Sequence, residues 1–298
     1  MTEQTTHQYH ASTLRVLRYL QQHLDEAIDL ELLASIAGFS PFHYHRIFRG
    51  MVGETVMEHV RRLRLERSAS RLTHSTDSIT QIAFAAGYET LEAFSRAFRN
   101  MFDASPSEFR KRKQQLLFGK HPSGVHYSPD NKTLDLTPLT QKGRTMEVHV
   151  ETLPPMKVAY IRYIGPYNQQ ETAWNQLCGW AGPKGLLGPN TKYIAVDYDD
   201  PQVTPPEKLR VDCCCTIDRE VTPEGNIGIQ TIGNGKYITT LHICTYEAME
   251  ETYTYLLGQW IPENGKRLRQ EPSLEFYLSD PDTTKPEELQ TKIYIPIE

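Results

Sequence analysis

The chain has 298 residues, of which 39 % are hydrophobic and 23 % charged, as in an ordinary globular protein large enough for two domains. It contains no apolar run that could cross a bilayer, and its N-terminus lacks the pattern of a signal peptide, so we expect a cytoplasmic protein with no membrane partner. Three of its five cysteines are consecutive, and adjacent strand residues face opposite sides, so we expect buried thiols and neither a metal nor a cofactor.

Charge is divided unevenly along the chain, whose overall net charge is -5. Residues 1–120 hold 16 Lys and Arg against 13 Asp and Glu, whereas the remainder holds 16 against 24. The basic part is also rich in Arg, with 13 Arg and 3 Lys. This asymmetry indicates two halves with different tasks, one of which involves nucleic acid.

The first part of the chain is predicted to be helical throughout. Ser12 is the candidate cap of a first helix, and Asp29 is the candidate cap of a second helix, which ends at Gly38. Ser40 followed by Pro41 predicts that a third helix begins at once. Two helices joined by such a short turn are typical of a helix-turn-helix unit.

The same pattern then recurs. Leu33–Phe39 matches Ile82–Tyr88 at an offset of 49, and Arg46–Met51 matches Arg96–Met101 at an offset of 50. The capping-box pattern Thr-x-x-Glu at Thr55 returns as Ser-x-x-Glu fifty residues later. Residues 55–72 are predicted to form one long helix that links the two copies.

In each copy, the helix after the turn carries a stripe of side chains at spacings of three and four, while its aromatic residues are predicted to be buried. An arginine on such an outward face can contact guanine through two hydrogen bonds. The alternative is that Arg46 and Arg96 form salt bridges within their own helices, but the repetition favours DNA. The predicted DNA-binding residues are Phe42, His45, Arg46, Arg49, Leu91, Glu92, Ser95, Arg96 and Arg99.

The second half is predicted to be a mixed α/β (α+β) domain. Residues 115–145, rich in Pro, Gly, Ser, Asn and Asp, are interpreted as a linker. From residue 146 onward, strand-like segments repeat at an offset of 79 to 80, as in Arg162–Tyr167 and Leu241–Tyr246. Each repeat reads as strand, helix, strand, strand, and a cleft between two such pseudo-symmetric halves is a natural ligand site.

Glu275 is the candidate ligand-binding residue of this half. Strand alternation places Glu275 and Tyr277 on one face, and the repeat has Ala195 where Glu275 stands. A carboxylate among aromatic rings can hold a cation, and the candidate walls are Tyr163, Tyr167 and Trp174. The alternative is a surface carboxylate with the aromatic residues in the core.

Two family resemblances rest on these motifs. The pattern IAFAAGYETLEAFSRAFRNMFDASPSEFR resembles the signature of the AraC/XylS family of transcription regulators, over about Thr13–Lys113. The segments RYIGPY, TPPEKLRVDCC, GKYITTLHI, EPSLEFY and KIYIPI resemble the GyrI-like effector-binding domain. The organisation that follows is a DNA-binding domain at 8–114 with two helix-turn-helix units, the linker, and an effector-binding domain at 146–298.

These resemblances imply a nucleoid-associated activator whose partners are double-stranded DNA, a small and possibly cationic or amphipathic effector, and RNA polymerase. They place base-reading residues at Phe42, His45, Arg46, Leu91, Glu92 and Arg96, and the effector-contacting glutamate at Glu275. We expect no catalytic residue. Two other functions stay open: a hydrolase in which Glu275 activates water, because some isolated relatives of the domain are hydrolases, and a regulator whose second domain docks a protein.

Overall fold

A computed structural model describes residues 2–112, 121–129, 136–137 and 146–298. The chain divides into two compact units. The helical unit comprises His7–Gly38 and Phe48–Thr140, and the sheet unit comprises Met1–Thr6, Phe39–Ile47 and Gln141–Glu298. Within the described ranges, no helix is both long and apolar enough to cross a membrane.

Seven helices are described between residues 2 and 112. They are α1 (Thr2–Gln22), α2 (Leu30–Ala37), α3 (Pro41–Val52), α4 (Val56–His74), α5 (Ile79–Ala85), α6 (Leu91–Phe102) and α7 (Pro106–Arg112). The prediction that this part of the chain is helical is confirmed.

Local capping explains where most of these helices begin and end. The side chain of Asp29 accepts hydrogen bonds from the backbone at the start of α2, and Gly38 ends that helix with a φ of 75°. Thr55 forms a complete capping box at the start of α4. At the end of α6, Asp103 adopts a left-handed conformation with a φ of 50°, which a short polar side chain tolerates. The capping predictions for these helices are confirmed.

The predicted start of the first helix was wrong. Helix α1 begins at Thr2, so Ser12 lies within the helix, 2 % exposed, and accepts a hydrogen bond from Nη2 of Arg15 at 3.0 Å. The apolar stripe starts earlier than the leucines indicated, because Tyr9 is also buried. Since serine is tolerated inside a helix as well as at its cap, the capping pattern alone could not locate this boundary.

Buried aromatic side chains contribute to the core of the helical unit. In the second helix-turn-helix, Phe94 and Phe98 are fully buried, as predicted, and Phe98 packs against Phe109 of α7 with ring centroids 5.3 Å apart. Phe48 is 1 % exposed, whereas Tyr88 is half-buried.

The long linking helix α4 carries a buried ionic cluster. Arg62 donates from Nη2 to Glu54 at 2.6 Å and from Nη1 to Glu66 at 2.8 Å. His59 is hydrogen-bonded to the same Glu54 carboxylate at 2.7 Å. Burial raises the pKa of Glu54, but the hydrogen bonds with His59 and Arg62 outweigh it and lower that pKa to about 2.

Much of the predicted linker, 115–145, lies outside the described residues. Its described stretch, 121–129, has no helix or strand and packs within the helical unit. Val125 is 1 % exposed, and the Tyr127 backbone N–H donates to Glu66 at 2.7 Å.

The sheet unit contains six antiparallel strands in the closed order β1-β3-β2-β5-β6-β4. They are β1 (His149–Ile164), β2 (Tyr193–Asp197), β3 (Arg210–Thr216), β4 (Ile227–Ile243), β5 (Ser273–Tyr277) and β6 (Gln290–Ile297). Helix α8 (Glu171–Ala181) follows β1, and α9 (Met249–Tyr255) follows β4 and continues through a π-helical stretch, Leu256–Trp260, into α10 (Ile261–Glu263). The predicted order of strand, helix, strand, strand is therefore present twice, and the predicted mixed fold is confirmed.

The first strand of this unit continues through two prolines. Pro154 and Pro155 lie inside β1, where Pro155 pairs with Gly233 of β4. Gly233 has a φ of 85°, and a Cβ there would lie 2.6 Å from the carbonyl oxygen of Pro154. A glycine partner thus lets a proline stand inside a strand, which proline itself does not favour.

Side-chain alternation divides the sheet into two faces. Cys213 and Cys215 of β3 join the cluster that also contains Ala195, whereas Cys214 packs with Leu274 on the other face. In the register of β2 and β5, Ala195 lies directly opposite Glu275. The residue that distinguishes the two halves of the repeat is thus at the centre of the strand pair that joins them.

Candidate functional site

A cavity of about 370 Å³ lies within the sheet unit, in front of the paired strands β2 and β5. Both halves of the repeat contribute to it. Its lining residues are Arg46, Pro166, Tyr167, Asn168, Gln170, Asp197, Pro201, Gln202, Pro206, Leu209, Tyr246, Glu247, Met249, Glu250, Tyr253, Glu275 and Tyr277.

Glu275 is 6 % exposed at the inner wall of this cavity. The Tyr253 hydroxyl donates a hydrogen bond to its Oε1 at 2.9 Å, and the Tyr277 hydroxyl donates to its Oε2 at 3.4 Å. Two phenol donors therefore orient the carboxylate. This arrangement favours a buried, directed charge over the alternative of a surface glutamate.

Asp197, which the sequence analysis missed, supplies a second buried carboxyl group. It is 7 % exposed and lies on the same face of β2 as Ala195, two residues further on. Burial and the like charge of Glu275 hold the pKa of Asp197 well above its usual range, although Arg46 lowers it. Burial beside a second carboxylate therefore favours the protonated form of Asp197.

The aromatic residues predicted as walls divide into two groups. Tyr167 and Tyr277 line the cavity, together with Tyr246 and Tyr253 from the second half of the repeat. Tyr163 and Trp174 pack against the apolar cluster beneath. The ring of Trp174 contacts that of Tyr277, with centroids 5.7 Å apart. For these two residues the interpretation as core fits better than the interpretation as wall.

Arg46 also lies in this cavity, although it was predicted to face outward. Its guanidinium carbon lies 4.0 Å from the centroid of the Tyr253 ring, and the residue is 5 % exposed. Burial lowers the pKa of Arg46, but the charges of Asp200 and its neighbours outweigh it, so the group stays cationic. Among the described residues, Nε of Arg46 has no hydrogen-bond partner.

The neighbouring residues of α3 explain why Arg46 turns inward. The ring of Phe42 contacts that of Tyr198, with centroids 6.1 Å apart, and Nε2 of His43 is hydrogen-bonded to the carbonyl oxygen of Glu271 at 3.0 Å. Segment Phe39–Ile47 thus packs as part of the sheet unit. Of the remaining predicted residues in α3, His45 and Arg49 are half-buried. Burial lowers the pKa of His45 to about 4.

In the second helix-turn-helix unit, the helix after the turn is α6, and its stripe of predicted DNA-binding residues lies at the surface. Leu91, Glu92, Arg96 and Arg99 are exposed, and Ser95 is half-buried. The turn before α6 contains Gly87, which has a φ of 82°. The two helices thus follow one sequence pattern, but their stripes have different surroundings.

These groups define the chemistry that the site can perform. A buried carboxyl pair bordered by tyrosine faces attracts an organic cation by charge and through the rings. Metal binding has no such support: within the described ranges, no three His, Cys, Asp or Glu side chains are grouped so as to hold an ion.

Two helix-turn-helix units followed by a pseudo-symmetric sheet with a buried pocket define a class of proteins that join a helix-turn-helix domain to a small-molecule-binding domain. A helix-turn-helix domain model matches residues 33–112, and a model of the GyrI-like small molecule binding domain matches residues 146–298. The chain belongs to the GyrI-like family, whose domain it joins to a helix-turn-helix domain of the AraC type.

Known proteins share this arrangement or parts of it. The Right origin-binding protein of Escherichia coli (strain K12) is 27 % identical over 194 residues, which is 63 % of this chain and 64 % of that protein, so a little under two thirds of that relative is spanned. Regulatory protein SoxS of Salmonella typhimurium is 33 % identical over 107 residues, which is 36 % of this chain and 98 % of that protein. Among solved structures, EcmrR in a cryo-EM structure of its DNA complex is 17 % identical, with 90 % of this chain and 98 % of that chain covered and a TM-score of 0.46.

Proposed function

We propose that this protein is a cytoplasmic transcription regulator that reads DNA with two helix-turn-helix units and binds a small organic cation in the pocket around Glu275. One observation supports the sensing part above all others. A buried carboxylate, oriented by two tyrosine hydroxyls, lies in a cavity large enough for a small molecule. Such a pocket has the features of a ligand site, a concave apolar wall with a few directed polar groups.

The exposed stripe of α6 supports the DNA-reading part. Arg96 lies on the outer face of this helix, where its guanidinium can reach a base edge in the major groove. Two helix-turn-helix units in one chain can contact two half-sites without a dimer, and activation would then involve contact with RNA polymerase at a neighbouring promoter.

The DNA-reading part is tested with Arg96→Ala. A duplex is first selected from random sequences by the wild-type protein. We expect the substitution to weaken binding to this duplex by roughly 1–3 kcal/mol and to relax the preference at one base pair. Ser107→Ala, which changes an exposed position of α7 outside the stripe, is the matched control. Equal affinity and equal base preference in Arg96→Ala and wild type would exclude this role for Arg96.

The sensing part is tested with Glu275→Gln and calorimetry of tetraphenylphosphonium, a lipophilic monocation. Glutamine keeps the shape, its oxygen can accept a hydrogen bond from one tyrosine hydroxyl and its amide can donate to the other, so the fold should survive. The loss of a charge-assisted contact should reduce affinity by roughly 1.5–3 kcal/mol, which corresponds to about tenfold to more than a hundredfold. Equal affinity in the two proteins would contradict a sensing role for Glu275.

The same two proteins address the other functions. A hydrolase in which Glu275 activates water would turn over an ester or amide probe as wild type and lose that turnover, but not probe binding, as Glu275→Gln. A protein-docking domain would bind no cation in either form. We place catalysis below sensing because both oxygens of Glu275 accept hydrogen bonds from phenols, an arrangement that fixes the orientation of the carboxylate.

A further inference from the structure

The cation pocket and the first DNA-reading helix share one residue, Arg46. Arg46 lines the cavity, and its guanidinium lies against the ring of Tyr253, whose hydroxyl donates to Glu275. In the second copy of the helix-turn-helix, the corresponding arginine, Arg96, is exposed. The two copies thus differ at the residue that each would use to read DNA.

We infer that the guanidinium of Arg46 occupies the cation site of this pocket when no ligand is bound. An organic cation that binds there displaces Arg46 from Tyr253, and cation binding is thereby linked to DNA-reading by α3. This inference rests on the proposed function, since it describes how that same pocket is regulated. A guanidinium cannot lie on the Tyr253 ring and contact a base in the same molecule. The pocket with Arg46 inside is therefore the closed form, and the pocket with a ligand is the form in which α3 can read DNA.

The contacts of Arg46 are of a kind that a ligand can replace. It is held by a ring face at 4.0 Å and by the field of nearby carboxylates, while its Nε is buried without a hydrogen-bond partner among the described residues. An aromatic face attracts any cation and is not specific to the planar donor pattern of arginine. A lipophilic cation can therefore satisfy the same groups, and it gains the rest of the cavity as contact area.

Two further contacts extend the effect from Arg46 to the whole stripe. Phe42, one of the predicted base-reading residues, packs on Tyr198, and His43 is hydrogen-bonded to Glu271. Arg46 is buried and Phe42 half-buried in one packed segment, so these two residues of the predicted reading face of α3 are held by the same unit. The segment is held by three contacts, those of Phe42, His43 and Arg46. Loss of the Arg46 contact alone therefore weakens the closed form but does not abolish it.

The energetic consequence is reciprocal. If a cation raises the affinity for specific DNA by a factor, specific DNA must raise the affinity for the cation by the same factor. If Arg46 occupies the pocket nine tenths of the time, its removal should raise the affinity for a cation about tenfold, since the apparent affinity scales with the open fraction.

The first experiment measures tetraphenylphosphonium binding by calorimetry on the full chain. Arg46→Ala should bind the cation about tenfold more tightly than wild type. Arg96→Ala is the matched control, because it removes the corresponding arginine from a helix that lies outside the pocket, and its cation affinity should equal that of wild type. An affinity of Arg46→Ala equal to or below that of wild type would overturn the inference.

The second experiment needs no cation. Tyr253→Leu removes the ring that holds Arg46, and Tyr253→Phe removes only the hydroxyl that donates to Glu275. On a duplex selected by the full chain, Tyr253→Leu should bind more tightly than wild type, and its hydroxyl-radical footprint should extend by about ten base pairs, one turn of the duplex. Tyr253→Phe keeps the ring, so its DNA affinity and footprint should change less than those of Tyr253→Leu.

The outcomes separate the inference from the proposed function. If none of the proteins binds tetraphenylphosphonium, the cation-sensing proposal fails, and the Tyr253 pair still decides whether the ring restrains α3. If the cation binds but Tyr253→Leu has the DNA affinity and footprint of wild type, the inference is overturned while sensing stands. Circular dichroism reports whether Tyr253→Leu is folded, and if it is not, the Arg46→Ala measurement decides.

Discussion

At the scale of single residues, Asp197 and Glu275 place two carboxyl groups in one buried cavity. Burial and the like charge of Glu275 raise the pKa of Asp197 and so favour its protonated form. The cationic Arg46, which lines the same cavity, acts in the opposite direction and lowers that pKa.

The raised pKa of Asp197 predicts how stability changes with pH. A carboxyl group whose pKa is higher in the folded than in the unfolded protein binds more protons when folded, so stability falls as pH rises from about 4 toward neutrality. Asp197→Asn removes this penalty. We expect the variant to be more stable than wild type at pH 7, by about 1.4 kcal/mol for each unit by which the pKa is raised.

The measurement is the melting temperature of both proteins at several values of pH. The advantage of Asp197→Asn should shrink as pH falls through about 4 and vanish below about 3, where the carboxyl group is protonated in the unfolded protein as well. Glu287→Gln, at an exposed position of the same domain, should show no such trend. A difference that stays constant across pH would mean that Asp197 is ionised in the folded protein.

Strand alternation and the repeat were sufficient to place Glu275 and Tyr277 together, because both follow from local geometry. The sequence analysis did not identify Asp197, because the alignment of the two repeats paired Glu275 with Ala195. Asp197 lies on the same face of β2, two residues after Ala195. The burial of Arg46 could not be predicted, because its contact with Tyr253 joins segments far apart in the sequence. Local patterns specify a stripe, and tertiary packing decides what the stripe faces.

At the scale of elements, helix α4 joins the two helix-turn-helix units and carries buried charges in addition to its buried apolar residues. Capping signals predicted its start at Thr55, and the structure agrees. Arginine side chains usually lie at the protein surface. In the structure, Arg62 is instead 12 % exposed at its side chain and contacts two carboxylates, of which Glu66 is 1 % exposed.

Removal of Arg62 should therefore be strongly destabilising. Arg62→Ala leaves Glu54 and Glu66 buried without their shared cation, and loss of one partner from a buried ionic cluster costs roughly 3–5 kcal/mol. Urea unfolding of the variant and the wild type gives the difference. Arg61→Ala, at the exposed neighbouring position, is the control and should change stability by less than about 0.5 kcal/mol.

A small effect in Arg62→Ala would indicate that water or a rearranged histidine replaces the guanidinium. The low pKa of Glu54 would then need another cause, because Arg62 and His59 are its hydrogen-bond partners. The acid range offers a check: wild-type stability should fall as pH drops from about 4.5 toward about 2, where Glu54 becomes protonated.

At the scale of the whole molecule, each of the two compact units is formed by segments that are not contiguous in the sequence. Segment Phe39–Ile47 belongs to the sheet unit, and residues up to Thr140 belong to the helical unit. Our sequence-based boundaries, 8–114 and 146–298 with a linker between, stay a prediction about independent domains. The described contacts of residues 121–129 bear on where a stable helical fragment should end.

We expect a fragment ending at Thr140 to be more stable than one ending at Lys120. The longer fragment keeps Val125 buried, keeps the N–H of Tyr127 on the 1 %-exposed Glu66, and keeps the backbone hydrogen bond from Thr137 to Ser123 at 3.0 Å. The shorter one exposes apolar surface and leaves an oxygen of Glu66 without that partner, a loss of roughly 2–5 kcal/mol. Urea unfolding followed by circular dichroism compares the two fragments. As a control, Val125→Ala in the longer fragment should reproduce part of the loss. Equal midpoints for both fragments would show that residues 121–140 add nothing to the helical unit, and the boundary predicted from composition would then be the better one.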